Sequence, residues 1–227
     1  MLDARLACVA ARVRPGSRVA DIGTDHAHLP VWLVGQGVCP GGIASDLRAG
    51  PAEAARRTVE RAGLADSIAV RVGDGLSPVS PEEADDMVIA GMGGETIAAI
   101  LATAPWLKDA AYRLVLQPMT HPELLREYLL TNGFSIEGEW IAAEGKRRYL
   151  ILQAAYTGAP PVTDEAAYYT GALPPGAEGA AFLRGQARHL RRRAAGLQSR
   201  DPQDGEAARL LALADRLDAY GRREEER

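Results

Sequence analysis

Apolar positions along the first 157 residues follow two different periods. From Leu2 to Val13 they recur with helical spacing, and Pro15-Gly16 ends the run. Arg18 to Ile22 is a short, mostly apolar run that reads as a buried strand. Comparable runs follow at Gly42–Asp46, Ile68–Val72, Asp85–Ala90, Tyr112–Gln117 and Tyr149–Ala155. Helical stretches fall between the earlier ones, at Pro30–Gly35, Pro51–Ala62, Glu95–Ala102 and Pro122–Thr131. Strands alternating with helices predict an α/β fold whose parallel sheet is covered by helices. Phe134–Ala143 and the strand from Tyr149 flank the polar Glu144-Gly145-Lys146-Arg147, which predicts a terminal antiparallel hairpin.

The pattern breaks after Thr157, where Gly158-Ala159-Pro160-Pro161 and then Pro174-Pro175-Gly176 interrupt any periodicity. This divides the chain into a domain over residues 1–157 and an accessory segment over 158–227. In that segment Leu183, Ala187, Leu190, Ala194 and Leu197 alternate steps of four and three, as do Leu210, Leu213, Leu217 and Tyr220. Both are seams of heptad type, and Asp201-Pro202 with Asp204-Gly205 suits a reversal between them, so the segment reads as a coiled-coil-like helical hairpin. It is too short to form a core alone and is expected to lean on the larger domain or on another chain.

Composition narrows the class without choosing within it. The 227 residues have room for one α/β domain and a smaller appendage. The hydrophobic share of 47% and charged share of 25% are those of a globular chain. No run approaches the roughly 18 apolar residues of a membrane span, and charged residues break up the N-terminal segment, so the protein is expected in the cytoplasm. Cys8 and Cys39 lack CxxC spacing and a neighbouring His pair; both read as small buried hydrophobes, and no metal is expected. The net charge of −4 argues against nonspecific wrapping of nucleic acid but leaves room for a local basic patch. Arg184, Arg188, Arg191, Arg192 and Arg193 crowd the first helix of the tail, either as a strip for an RNA backbone or as a solvated face.

Candidate chemistry gathers at the carboxyl ends of the predicted strands, where ligands bind in α/β folds. After the first strand, Gly23 lets a ligand approach the backbone, and the helix N-terminus behind it is expected to offer unpaired amides. Asp21 faces the same crevice or, alternatively, caps the turn. The dinucleotide fingerprint G-x-G-x-x-G is absent, and Asp25 and His26 occupy the turn instead. Such an acidic loop repels a pyrophosphate but suits S-adenosylmethionine (SAM), which carries a sulfonium and an amino group. Asp46, followed by Leu47, ends the second strand, where a carboxylate can accept from both ribose hydroxyls or, as the weaker alternative, cap the helix starting near Pro51. In Gly73-Asp74-Gly75-Leu76 a carboxylate between glycines suits an adenine amino group, although Asp-Gly turns are common. Ala90-Gly91-Met92-Gly93-Gly94 reads as a loop after the fourth strand that removes side chains where cofactor and acceptor meet. Enzymes that methylate exocyclic base amines often carry an Asp/Asn-Pro-Pro-aromatic loop here; its absence favours a ring nitrogen.

Four ordered blocks, Asp21-Ile22-Gly23-Thr24-Asp25-His26-Ala27-His28-Leu29-Pro30, Gly73-Asp74-Gly75-Leu76, Ile89-Ala90-Gly91-Met92-Gly93-Gly94 and Leu116-Gln117-Pro118-Met119, resemble the bacterial tRNA adenine-N1 methyltransferases that modify adenine 22. The resemblance runs over most of residues 1–157. It implies a Rossmann-like domain with a C-terminal helical coiled-coil domain, SAM as methyl donor and tRNA as acceptor. His28 stands where the family can have Tyr and Asp46 where it can have Glu, both keeping polarity. Met119 stands where it can have Asn, which argues against base recognition by that side chain.

On this reading Asp21, Gly23, Asp25, Asp46, Leu47, Asp74, Gly75, Ala90, Gly91, Met92 and Gly93 are the candidate cofactor site. Gln117, Pro118 and His121, with Arg188 and Arg192 of the tail, are candidate tRNA contacts; core packing and capping compete for the first three. Adenine N1 already owns a lone pair, but transfer leaves a cationic ring. Asp25 is the candidate to stabilise that charge and His26 to hydrogen-bond or handle a proton, with local backbone pairing the alternative for His26 and preferred for His28. A monomer or weak homodimer is expected. A SAM-dependent enzyme acting on a small molecule and a noncatalytic SAM- or RNA-binding module remain competing functions; the missing glycines disfavour a dehydrogenase.

Overall fold

The computed structural model describes residues 2–145 and 147–225; Lys146, in the expected hairpin turn, lies outside the described residues. The chain forms two compact units, one ending at Pro161 and one beginning at Val162.

In the first unit α1 (Ala4–Ala10) leads into β1 (Val19–Ile22), α2 (His28–Gly35), β2 (Gly42–Asp46), α3 (Ala49–Arg61) and β3 (Ile68–Val72). Then come β4 (Asp86–Gly93), α4 (Gly94–Ala102), β5 (Arg113–Thr120), α5 (Pro122–Thr131) and a hairpin of β6 (Phe134–Glu144) and β7 (Arg147–Tyr156). The strands form one sheet in the order β3-β2-β1-β4-β5-β7-β6. β1 pairs in parallel with both β2 and β4, while β7 runs antiparallel to both β5 and β6. The chain winds outward from β1 through β2 to β3 and then returns to the other side of β1. That reversal leaves a crevice beyond the carboxyl ends of β1 and β4.

Burial explains the central strands. Val19, Ala20 and Ile22 of β1 and Met87, Val88 and Ile89 of β4 are all buried, as strands covered on both faces require. Val9 and Val13 join Leu29 and Leu33 of α2 in a core with Val88, Val115 and Ile151, while Ala55 and Val59 of α3 pack with Ala44 and Ile68. Cys39 is buried as expected, which pushes its thiol up to about 11, but Cys8 is only half-buried.

Two elements differ from the sequence reading for identifiable reasons. Helix α1 is shorter than Leu2–Val13. Asp3 caps it by accepting from the Leu6 amide (2.7 Å), and the chain leaves the helix before Arg14, whose backbone N–H and Nε both donate to the buried Asp86 (2.8 and 2.7 Å). The glycine-rich stretch after Ala90 is strand and not loop. β4 continues to Gly93 because the register with β5 shifts between Ala90 and Met92, leaving Gly91 as an unpaired bulge residue at φ 83°. Its amide is satisfied by the Gln117 side chain (3.1 Å).

The second unit contains α6 (Glu165–Thr170), α7 (Ala177–Gln198) and α8 (Gly205–Glu225). Leu183, Ala187, Leu190 and Ala194 of α7 meet Leu210, Leu213 and Leu217 of α8, which is the expected hairpin. Tyr220 does not continue the seam: it is 47% exposed, and Gly221 takes the inner position, close enough to Ala180 for ordinary contact with an added Cβ. A helix advances 3.6 residues per turn, so a strict heptad drifts off the seam. The hairpin also has a core partner that the sequence reading missed, since α6 contributes buried Ala166 and Tyr169. Asp164 caps α6 and pairs with Arg216 of α8 (2.9 Å).

Candidate active site

A cavity of about 600 Å³, a size typical of small-ligand sites, lies beyond the carboxyl ends of β1, β2, β3 and β4. Of the sequence candidates it brings together Gly23, Asp25, Asp46, Leu47, Asp74, Gly75 and Met92. Arg48, Ser77 and a stripe of Thr96, Ala99 and Ile100 on α4, with Thr103 just past its end, also line it and were not foreseen. The only signal for that stripe is the helical spacing of small and β-branched residues, which a core face shares.

The turn after β1 is built around β2. Gly23, Asp25 and Ala27 all have positive φ (73°, 54° and 55°). The amides of Gly23 and Thr24 donate to the Ser45 carbonyl (2.8 and 2.9 Å), and that of Asp25 donates to the Asp46 carboxylate (3.3 Å). These three turn amides, which precede the N-terminus of α2 (His28–Gly35), are committed to β2 and are not left for a phosphate. The other Asp46 oxygen accepts from the Arg48 amide (3.0 Å). A carboxylate accepts about four hydrogen bonds, so this one, only 7% exposed, keeps acceptor capacity on its cavity side.

Asp21 stands just inside this turn, 6% exposed, and accepts a 2.6 Å hydrogen bond from the Thr24 hydroxyl. Burial pushes its carboxyl up to about 6 against the opposing pull of Thr24 and Arg5. Met92 lies over the bare face of Gly23, its flexible Cε end 2.1 Å from where a Cβ would sit, and the φ of 73° at this position favours glycine. Asp25 is well exposed at the rim, with its carboxylate 3.7 Å from His26 Nε2; His26 stacks on His28 at 5.5 Å outside the cavity.

The remaining candidates lie elsewhere. Ala90, Gly91 and Gly93 belong to β4 beside the cavity, and Met92 alone of that stretch lines it. Gln117 is fully buried with both ends of its amide engaged: Oε1 accepts from Arg5 and Gly91 (3.0 and 3.1 Å), and Nε2 donates to the Pro118 carbonyl (2.9 Å). The side chain therefore pins the β4 bulge and has no group free to read a base. Pro118 is buried in β5, and His121, at φ 51°, is the N-cap residue just before α5, with Nδ1 3.1 Å from Glu123. In the second unit Arg191 pairs with Asp215 and Asp218 (both 2.7 Å) and Arg193 with Glu206 (3.6 Å). The basic strip is thus narrower than its sequence suggests, with Arg188 and Arg192 exposed one turn apart. Among the described residues no group of His, Cys, Asp and Glu is arranged to hold a metal, and no helix is long and apolar enough to cross a membrane.

An acceptor-rich cavity at the switch point of this sheet, with no phosphate cradle, is the site of a Rossmann-like methyltransferase. Residues 2–152 match the family model described as a methyltransferase domain. The chain is 40% identical over 153 residues to the tRNA (adenine(22)-N(1))-methyltransferase of Bacillus subtilis (strain 168), an alignment covering 67% of this chain and 64% of that protein. The crystal structure of the Bacillus subtilis tRNA methyltransferase TrmK is similar throughout, at TM-score 0.81 and 31% identity over 99% of both chains. The Streptococcus pneumoniae protein Sp1610, crystallised with S-adenosyl-L-methionine, gives TM-score 0.81 at 28% identity over 96% of this chain and 100% of that one. The chain belongs to the methyltransferase-domain family and, within it, to the family of TrmK.

Proposed function

We propose that this protein transfers the methyl group of SAM to N1 of an adenine in tRNA, at the position equivalent to adenine 22, in the cytoplasm and as a monomer or weak homodimer. The observation that carries the reading is the set of hydrogen-bond acceptors in the cavity. Asp46 and Asp74 present carboxylates while the turn amides are spent on β2, a combination that fits a ribose diol and an adenine amino group and rejects a pyrophosphate. The names of the relatives, a tRNA (adenine(22)-N(1))-methyltransferase and a protein crystallised with SAM, support the same donor and acceptor.

Each residue has a task in this reading. Asp46 holds the ribose hydroxyls, Asp74 accepts from the adenine amino group, and Leu47 and Ile100 offer apolar surface to the base. Gly23 and Gly75 keep the backbone open to the cofactor, and buried Asp21 sits one turn behind with a charge to offer its amino group. Bound SAM supplies an electrophilic methyl group on a sulfonium. Adenine N1 needs no base to expose its lone pair, so the protein's work is alignment and charge stabilisation. Asp25, at the rim, faces the positive charge that grows on the ring, with His26 beside it. Arg188 and Arg192 hold the tRNA backbone.

Comparing an unmodified tRNA transcript with the same transcript carrying guanine at position 22 tests this reading. Label from SAM should enter the first and not the second. Equal labelling of both would refute the position, and transfer to small acceptors alone would favour the small-molecule alternative.

A further inference from the structure

We infer that the tip of the β6–β7 hairpin is a basic arm that grips acceptor phosphates beside the cavity, an assignment that rests on the tRNA reading above. β7 pairs with β5 only as far as Leu116↔Leu152, yet with β6 it stays paired to Glu144↔Arg147. Residues 147–151 therefore run on past the end of the β5 ladder, about 16 Å at the rise of a strand. Because β7 is antiparallel to β5, this overhang points toward the edge where β4 ends and the cavity opens.

At its far end Arg147 and Arg148 are both exposed. Arg148 donates to the carbonyls of Gly145 and Arg147 (3.0 Å each), which orient the guanidinium without neutralising it. Arg147 lies against Tyr149, with Glu144 the acidic group near it. The same Tyr149 ring has the Arg5 guanidinium 5.9 Å from its centroid, and Arg5 reaches Gln117, whose Oε1 also holds the Gly91 amide. Gly91 adjoins Met92 of the cavity wall. Arg5, Arg147 and Arg148 thus mark a basic line from the Gly91 bulge to the hairpin tip, with Asp3, 3.9 Å from Arg5, the acid at its near end.

The arm is firmly rooted. The Arg12 guanidinium stacks 3.9 Å from the Trp140 ring centroid, and Tyr149 and Ile151 share a core with Val9 and Val13. A chain of net charge −4 needs such local concentrations of guanidinium to bind a polyanion, and guanidinium matches phosphate geometry.

The test is the salt dependence of tRNA binding, measured for wild type and for the double variant Arg147→Ala/Arg148→Ala. Loss of two phosphate contacts lowers the slope of log affinity against log salt by about 2, which from a common value at 1 M salt weakens binding about 100-fold at 0.1 M, with SAM affinity retained. The double variant Arg147→Lys/Arg148→Lys keeps the charge and should keep most of the slope. A slope and affinity equal to wild type in the alanine variant would overturn the arm while leaving the tRNA reading intact. Wild-type protein that binds SAM but no tRNA would overturn both. If the alanine variant melts early, Arg148→Gln against Arg148→Lys makes the same comparison for one contact, with a slope difference of about 1 expected and no difference overturning the arm.

Discussion

Asp21→Asn removes a charge that the folded protein holds in an unfavourable place. The carboxyl is 6% exposed at the end of β1, and burial raises it from 3.8 to about 6, with Asp46 adding to the rise and Thr24 and Arg5 opposing it. A group that binds its proton more tightly folded than unfolded contributes full stability below the unfolded value and loses it as pH rises through the folded one. The window here runs from about pH 4 to about pH 6, and a gap of about 2 pH units amounts to about 3 kcal/mol above it. Asparagine has the same shape, keeps an oxygen to accept from the Thr24 hydroxyl, and is neutral throughout. The variant should exceed wild type in stability by up to that amount at pH 8, and the difference should close toward pH 4. Urea unfolding followed by circular dichroism at each pH reads the difference directly. A difference that does not change with pH, or a variant less stable than wild type at pH 8, would refute the burial argument. The same variant should bind SAM more weakly, since a carboxylate kept at such a cost is useful when a cation approaches it.

Asp46→Ala removes the acceptor assigned to the ribose diol. Two hydrogen bonds to a charged group at about 1.5 kcal/mol each predict SAM affinity about 100-fold lower by calorimetric titration, and unchanged affinity would sink the assignment. Asp25→Asn, which tolerates the φ of 54° at that position, should lower methyl transfer far more than SAM affinity; a parallel loss of both would make Asp25 a cofactor ligand instead. Glu139→Ala strips the fully buried Arg126 of a bidentate partner (2.7 Å at both oxygens) and should cost about 3–5 kcal/mol in chemical denaturation. Arg126→Met/Glu139→Leu should recover most of that loss, and a loss under about 1 kcal/mol in the single variant would contradict it.

What local pattern determines was legible in the sequence. Pro122–Thr131 is α5 to the residue, because proline at the first turn and Asn132-Gly133 after the last leave little freedom at either end. Gly23, Asp25, Asp46, Leu47, Asp74, Gly75 and Met92 share one cavity because a parallel sheet aligns its strand ends, whereas Asp21, Gly91 and Gln117 lie behind or beside it. What depends on partners distant in sequence was not legible. Gln117 turns inward because the Gly91 bulge needs an acceptor, and nothing beside Gln117 in the sequence announces that bulge. The turn amides are spent on Ser45 and Asp46, some twenty residues away. Arg191 and Arg193 look like part of a basic strip until α8 brings Asp215, Asp218 and Glu206 to them. Gly221 replaces Tyr220 at the seam because small residues let helices approach closely, whereas hydrophobic spacing alone favours the larger side chain.

The most direct test of the central claim is to incubate the protein with labelled SAM and an unmodified bacterial tRNA, digest the product with nuclease, and identify the labelled nucleoside and its position. The expected result is 1-methyladenosine at position 22. No label in tRNA from a protein that demonstrably binds SAM, or label in any other nucleoside, would contradict the claim.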